Sequence, residues 1–378
     1  MKVKVGIVGL PNVGKSTLFN ALAQSSVAQA ANFPFCTIEP NTAPIAIPDD
    51  NLDALKRVAQ HNKAVPATLT WIDVAGLVRG ASRGEGLGNR FLATIRECDA
   101  ILHVVRYFEN DDIVHVDGKV DPVGDAEVVN LELIFADLAQ VEKRLERGNC
   151  VGEEREALEK VQVGLSDGKL ARSLGLNEGE LKAIKSMGML TLKPVLYAFN
   201  VDDVDFTFGK TEAVEQAEKI FHSIQYCDPK RDMFTLVSAE LEAEVSSRTL
   251  HEQEQYLTSL GLDIDKSNVN EMLSYHSLPL KVMELLNLSL CYTGPGVPPE
   301  KSKTTKSYLF QQDSRTAWDM AGRLHGEIQR GFQRAEIIKV ADLLGQDSYT
   351  LAKESGCVRT EGKEYVMNND EVILIKWR

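Results

Sequence analysis

The amino-acid sequence predicts an α/β protein: a P-loop NTPase parallel sheet, an inserted antiparallel helical hairpin and a C-terminal α+β module. Three observations predict it. A glycine-rich loop, Gly9-Leu10-Pro11-Asn12-Val13-Gly14-Lys15-Ser16, stands between a strand-like run and a helix-like run. Short apolar runs alternate with helical stretches through the first half and return near residue 195. Between Asn130 and Met187 the apolar spacing changes to that of a heptad seam.

Val3–Val8 is a short apolar run rich in β-branched residues and reads as the first strand. A helical stretch follows from Ser16 to Gln24. Ala67–Asp73, Ala100–Val105, Pro194–Asn200 and Met233–Ala239 repeat the strand pattern. Continuous apolar strands separated by helices predict a parallel sheet covered on both faces.

In the middle of the chain, Leu131, Ile134, Leu138, Val141 and Leu145 step by three and four residues along a charged helix. Gly148-Asn149 offers a turn, and Leu158, Val161 and Leu165 continue the spacing on a second helix from Glu153. Asn177 with Glu180 has the form of a capping box opening a third, short helix. The narrow seam favours a hairpin inserted into the sheet domain; the plainer reading is that these helices cover the sheet. Thr293-Gly294-Pro295-Gly296-Val297-Pro298-Pro299 is the clearest linker. Beyond it, Ser307–Phe310 and Glu371–Lys376 read as strands and Thr316–Phe332 as a helix. The expected units are a nucleotide-binding domain over residues 1–129 and 191–294, an inserted helical (coiled-coil) domain over 130–190, and the small module over 295–378.

Composition narrows the function. The 378 residues suffice for two or three domains at roughly 150 residues each. No run approaches the ~18 apolar residues of a membrane span, and the first residues read as a strand rather than a signal peptide. Six cysteines, Cys36, Cys98, Cys150, Cys227, Cys291 and Cys357, lie far apart. Their spacing argues against a zinc site or a disulfide framework and for reduced thiols in the cytosol. The net charge is −13. Residues 295–378 contribute +1 and the remainder −14. An acidic body of this kind is no free-standing nucleic-acid binder; RNA would need a local patch or a protein partner.

The loop Gly9–Ser16 matches the phosphate-loop pattern G-x-x-x-x-G-K-[ST] at every fixed position. Its glycines let backbone N–H groups turn toward a phosphate, and the following helix adds its positive end. Asn12, Val13, Gly14, Lys15, Ser16 and Thr17 form the expected nucleotide-binding stretch. Lys15 can reach the β- and γ-phosphates, and the Ser16 hydroxyl can bind Mg²⁺. Asp73-Val74-Ala75-Gly76 ends a predicted strand, where the carboxylate can hold Mg²⁺ and the glycine N–H can approach the γ-phosphate. Thr37, in the loop between the two motifs, can close on the metal, which makes that loop a switch. Leu77 follows the glycine where many GTPases carry the glutamine that orients the attacking water. Downstream, Arg79–Arg90 holds four glycines in nine residues and reads as a mobile loop; its arginines touch phosphate or are solvated. Asn200-Val201-Asp202-Asp203 ends a strand where such folds read the base. Guanine readers place Asn-Lys-x-Asp here; Val201 replaces the lysine while Asp203 keeps the carboxylate. Ser238-Ala239-Glu240 ends the next strand and can add a base contact.

With the phosphate loop, Asn32-Phe33-Pro34-Phe35-Cys36-Thr37, the run DVAGLVRGASRGEGLGNRFL from Asp73 and a base-reading site without lysine, the sequence resembles the YchF / Obg-like ATPase family. The resemblance runs over almost the whole chain and is most specific in Thr94–Pro122. Gly331–Glu336 and Glu361–Tyr365 resemble the family's TGS (ubiquitin-like) domain. The resemblance implies a cytoplasmic, ribosome-associated P-loop ATPase of the translation-factor class, in contact with ribosomal RNA or proteins and preferring ATP to GTP. It implies that Asn200 bonds the adenine edge while Phe108 and Val201 pack on its faces. It also implies that His115 assists the attacking water and that Asn12 holds K⁺. One departure stands out: the family places Glu where this chain has Asp203, the guanine-reading residue of ordinary GTPases.

The leading expectation is therefore Mg²⁺-dependent hydrolysis of ATP, with GTP possible, at the β–γ bond. Lys15 and the loop N–H groups would stabilise charge on the transferring phosphoryl, and Ser16, Thr37 and Asp73 would manage the metal. The alternatives are a nucleotide-sensing scaffold with incidental turnover, to which Leu77 points, and an Obg-like GTPase of ribosome assembly, to which Asp203 points. A seam satisfied within one chain predicts a monomer.

Overall fold

The computed structural model describes residues 2–29, 41–74, 87–110, 119–203, 210–261, 273–296, 303–346 and 348–378. Its first sheet has the order β2-β4-β1-β5-β6-β7. The strands are β1 (Val3–Val8), β2 (Thr42–Ala46), β4 (Thr68–Asp73), β5 (Ala100–Arg106), β6 (Val195–Asn200) and β7 (Met233–Val237). β1 pairs in parallel with β4 and β5, and β5, β6 and β7 continue in parallel. Val5, Ile7, Leu69, Leu102, Leu196 and Phe199 are fully buried, as strands covered on both faces require. The expected all-parallel sheet differs at one edge, where β2 runs antiparallel to β4. The chain between the two strands, residues 47–67, carries a helix and a further short strand, and an antiparallel edge strand on an otherwise parallel sheet is a common arrangement.

Helix α1 (Lys15–Gln29) follows the glycine-rich loop and packs against a helix over Ala239–Val245. α2 (Asp50–Val58) is capped by the Asp49 carboxylate, and α3 (Leu87–Arg96) leads into β5. α4 (Pro122–Glu146) begins eight residues before the predicted seam, because Asp121 accepts from the Gly124 N–H and Pro122 opens the helix. Its first turns bury Ala126, Val129 and Leu133 in the main core. Further along, Ile134 and Val141 join Leu158, Val161 and Leu165 of α5 (Glu153–Ser166) in a separate core, with Leu138 and Leu145 against it. The first helix of the hairpin is thus shared between two cores. Leu131, half-buried, joins neither. The capping box of Asn177 and Glu180 opens α6 (Glu178–Ile184).

Buried charge ties the hairpin to the sheet. Arg96 at the end of α3 pairs with Asp137 of α4 at 2.9 Å. Asp137 also accepts from the N–H and hydroxyl of Thr191. The Thr191 carbonyl accepts from Arg172, which pairs with Asp232 at 2.6 Å.

The second sheet has the order β11-β10-β12-β8-β9-β3. Its strands are β3 (Lys63–Val65), β8 (Leu288–Thr293), β9 (Thr304–Gln311), β10 (Phe332–Lys339), β11 (Arg359–Glu361) and β12 (Glu371–Trp377). β8 pairs antiparallel with β9, so the strands before and after the segment expected to be a linker lie in one sheet. β3, which precedes β4 in the chain, pairs in parallel with β9. The predicted helix Thr316–Phe332 is two: Ala317–Leu324 ends at His325, whose backbone is extended and whose ring Nδ1 accepts from the Glu327 N–H to cap a second helix, Gly326–Arg330. Phe332 already belongs to β10. No helix among the described residues is long and apolar enough to cross a membrane.

Candidate nucleotide-binding site

In an open parallel sheet, ligands bind beyond the carboxyl ends of the strands. Here those ends gather the loop after β1, Asp73 of β4, the residues after β5 and the motifs after β6 and β7. Gly9, at φ +152°, runs against β5; a side chain there would collide with the Val104 carbonyl oxygen. Gly14, at φ +95°, sits against the Asn200 amide, and a Cβ would collide with it. Asn12 is exposed and has φ 61°. Val13 is buried and Thr17 is exposed.

Lys15 is only 6% exposed, and its ammonium donates to the Leu10 carbonyl at 2.6 Å. The side chain therefore arches over its own loop. Burial pushes the Lys15 amine down to about 8, against the opposing pull of Asp73. Beneath it, His103 of β5 is pushed down to about 3 by burial and by the Lys15 charge, which makes it a neutral packing residue. The Ser16 hydroxyl donates to Asp73 Oδ2 at 2.8 Å. Asp73 Oδ1 is buried without a hydrogen-bond partner.

The base-reading elements are joined to the phosphate loop. Asn200 is 4% exposed. Its Nδ2 donates to the Val13 carbonyl at 3.0 Å, and its Oδ1 accepts from the Ala239 N–H at 2.9 Å. One amide thus ties the loop after β1 to the loop after β7. Val201 is buried, and its N–H donates to the Val237 carbonyl. Ser238 caps the helix Ala239–Val245 and donates its hydroxyl to Asp203 Oδ1 at 2.5 Å. Phe108 follows β5 half-buried, with the Arg106 guanidinium 4.5 Å from its ring centroid.

Comparison with known proteins gives this geometry a family. Residues 4–139 match the family model described as 50S ribosome-binding GTPase. Residues 301–378 match the YchF GTPase C-terminal model, described as a protein of unknown function. The chain is 39% identical over 389 residues to the ribosome-binding ATPase YchF of Bacillus subtilis, covering 100% of both chains. It is 40% identical over 392 residues to the protein of the same name from Haemophilus influenzae, covering 100% of this chain and 99% of that one. The chain belongs to the YchF family. The solved YchF GTPase of Schizosaccharomyces pombe superposes with a TM-score of 0.83 at 31% identity, over 99% of this chain and 98% of that one. A GTP-binding protein from Pyrococcus horikoshii shares the fold at a TM-score of 0.57 and 20% identity, over 100% of both chains.

For this YchF-family chain, a hard divalent cation fits the Ser16–Asp73 pair. Both side chains offer oxygen donors, and Asp73 Oδ1 has an unused, buried lone pair. No cluster of three His, Cys, Asp or Glu side chains suited to a metal occurs among the described residues. Thr37, Leu77, His115 and residues 79–86 of the expected loop lie outside the described residues, and its last residues, 87–90, are the first turn of α3 rather than loop.

Two features were missed in the sequence. Arg106 was read only as a residue within the Thr94–Pro122 segment; a charged residue ending an apolar strand was the available signal. The second is the double engagement of Asn200, which joins residues 187 and 39 positions away and has no local signature.

Proposed function

We propose that this chain is a Mg²⁺-dependent nucleotide hydrolase that cleaves ATP, and more weakly GTP, at the β–γ bond and works as a ribosome-associated switch. The observation that carries the reading is the Ser16–Asp73 contact across the two phosphate-site motifs, with the buried, unpartnered Asp73 oxygen beside it. Bound there, Mg²⁺ would neutralise charge on the β- and γ-phosphates. Lys15 would exchange its bond to the Leu10 carbonyl for phosphate oxygens, and the loop N–H groups would hold the phosphoryl as its charge spreads. Thr37 would complete the metal shell, and His115 would orient the attacking water in place of the glutamine that Leu77 lacks.

At the base, Asn200 keeps one N–H and one oxygen lone pair beyond its two backbone bonds, enough to meet an adenine edge. Phe108 and Val201 would lie on the ring faces. Asp203 favours a second reading. Its carboxylate is oriented by the Ser238 hydroxyl, at the position where guanine readers carry their acceptor. Without a lysine at 201, the guanine site lacks its usual side wall, and ATP is the preferred substrate. Asn12 would hold K⁺ near the phosphates.

The named relatives are ribosome-binding ATPases, and that association is carried over here as part of the proposal. The C-terminal sheet would act as a TGS-like module and the α4–α5 hairpin as a second arm, both turned toward ribosomal RNA or proteins. The chain would work in the cytoplasm as a monomer. The units would divide at 130, 190 and 294, with β3 and β8 lent to the C-terminal sheet.

Calorimetry with ATP and GTP in Mg²⁺ and K⁺, followed by single-turnover hydrolysis with and without ribosomes, tests the reading. Tighter ATP binding with ribosome-stimulated turnover is expected. Tighter GTP binding would move the chain to the GTPases. Turnover that neither ribosomes nor K⁺ raises would favour a nucleotide-sensing scaffold.

A further inference from the structure

Arg106 is the last residue of β5, in register beside Asn200 of β6. It is 2% exposed, an unusual place for a guanidinium at the mouth of a site. Its Nε donates to the Phe108 carbonyl at 3.2 Å, and its Nη2 donates to the Asn110 carbonyl at 3.1 Å. Its Cζ lies over the Phe108 ring, 4.5 Å from the centroid. One side chain therefore fixes both the backbone that carries Phe108 and the ring itself. The next residue, Tyr107, donates its N–H to the Asn200 carbonyl at 2.8 Å, so this clamp is continuous with the base-reading strand.

We propose that Arg106 is a positioning residue for the purine: it holds Phe108 as a fixed aromatic shelf beside Asn200. This inference rests on the reading that Phe108 packs against the base. A free phenylalanine after a strand loses side-chain and backbone freedom when a base stacks on it. A planar guanidinium that binds two carbonyls and covers the ring removes that freedom beforehand. Lysine cannot substitute, because its ammonium neither lies flat on a ring nor spans two carbonyls in a fork.

The test compares ligands with and without a base. Binding of ATP and of inorganic tripolyphosphate is measured by calorimetry, in Mg²⁺, for the parent chain and for Arg106→Met, Arg106→Lys, Phe108→Ala and the double variant Arg106→Met/Phe108→Ala. Phe108→Ala is expected to weaken ATP about tenfold, as loss of one base–aromatic stack does, and to leave tripolyphosphate unchanged. Arg106→Met is expected to reproduce that loss, with Arg106→Lys close to it. The double variant is expected to lose no more than Phe108→Ala alone, since the two residues act as one unit. Tripolyphosphate binding reports that each variant is folded. If Arg106→Met fails to fold, the same comparison on Arg106→Lys decides. Loss of ATP affinity in Phe108→Ala but not in the Arg106 variants would overturn the role given to Arg106. Unchanged ATP affinity in Phe108→Ala would overturn the stacking reading itself. Additive losses in the double variant would separate the two residues and overturn the clamp.

Discussion

The Ser16 hydroxyl donates to the Asp73 carboxylate at 2.8 Å, joining the first turn of α1 to the end of β4 across 57 positions. β1 and β4 are paired in parallel, with Ile7 opposite Asp73, which brings the serine of one motif to the carboxylate of the other. The second carboxylate oxygen has no hydrogen-bond partner and is buried. Asp73→Asn keeps an acceptor for Ser16 and removes the negative charge. The expected outcome is a loss of Mg²⁺-supported ATP affinity of about tenfold, on the order of 1.4 kcal/mol, with metal-free ATP binding retained. Titrations with Mg²⁺ and with a chelator check it; equal losses in both would place Asp73 outside the metal site.

Lys15 supplies a pH signature. Burial holds its amine near 8 in the free protein, below the usual lysine range, with Asp73 opposing the shift. A triphosphate binds the ammonium form and raises that value in the complex. Affinity is therefore full below about pH 8 and declines as the free protein loses its proton above it. ATP affinity at pH 9 is expected to be about tenfold below that at pH 7, because a group titrating near 8 is then about nine-tenths deprotonated. Lys15→Arg should flatten the profile, since arginine keeps its charge throughout. Isothermal titration across that range in the two proteins checks the difference.

Asn200 holds the site together before any nucleotide arrives. Its amide satisfies the Val13 carbonyl and the Ala239 N–H at once. Asn200→Ala would leave both groups unsatisfied among buried neighbours, at a cost of about 1–3 kcal/mol each. The expected result is a lower unfolding midpoint in urea, together with weaker binding of tripolyphosphate, a ligand with no base for Asn200 to read. Normal tripolyphosphate binding in a destabilised variant would confine Asn200 to the base and remove its hold on the loop.

The legible parts of this chain were those whose signal is local. The phosphate loop, the buried strands and the Asn177–Glu180 cap are each written in a few adjacent residues, and each lies where the spacing put it. The errors came where distant pairing decides. Gly294 and Pro295 read as an interdomain linker, yet they follow a strand that pairs with β9 across the join. β3 is three residues long, and nothing in Lys63-Ala64-Val65 announces a partner 241 positions away. α4 runs ahead of its seam because its first turns bury Ala126 and Val129 in the main core instead. At the site, residue types were readable and their mutual bonds were not: Asp203 read as a base contact, while its tie to Ser238 depends on β6 and β7 lying side by side.

Glu242 separates fold stability from nucleotide chemistry. It lies in the helix Ala239–Val245, packed against α1, and is 1% exposed. One carboxylate oxygen accepts from the Ser274 N–H, while the other is buried without a partner. Burial pushes the group up to about 7, against the hydrogen bonds from Ser274. In the unfolded chain the carboxyl ionises near 4.5. Between those values the folded protein holds a proton that the unfolded chain has released. Stability therefore falls as pH rises from 4.5 toward 7 and is flat beyond, by an amount on the order of 3 kcal/mol. Glu242→Gln keeps an acceptor for Ser274 and cannot ionise. It is expected to leave the unfolding free energy unchanged near pH 4.5 and to raise it at pH 8, with ATP affinity unaltered because Ala239 still holds Asn200. Urea unfolding of both proteins at the two pH values checks this. A difference of the same size at both would mean that Glu242 is already ionised in the folded state.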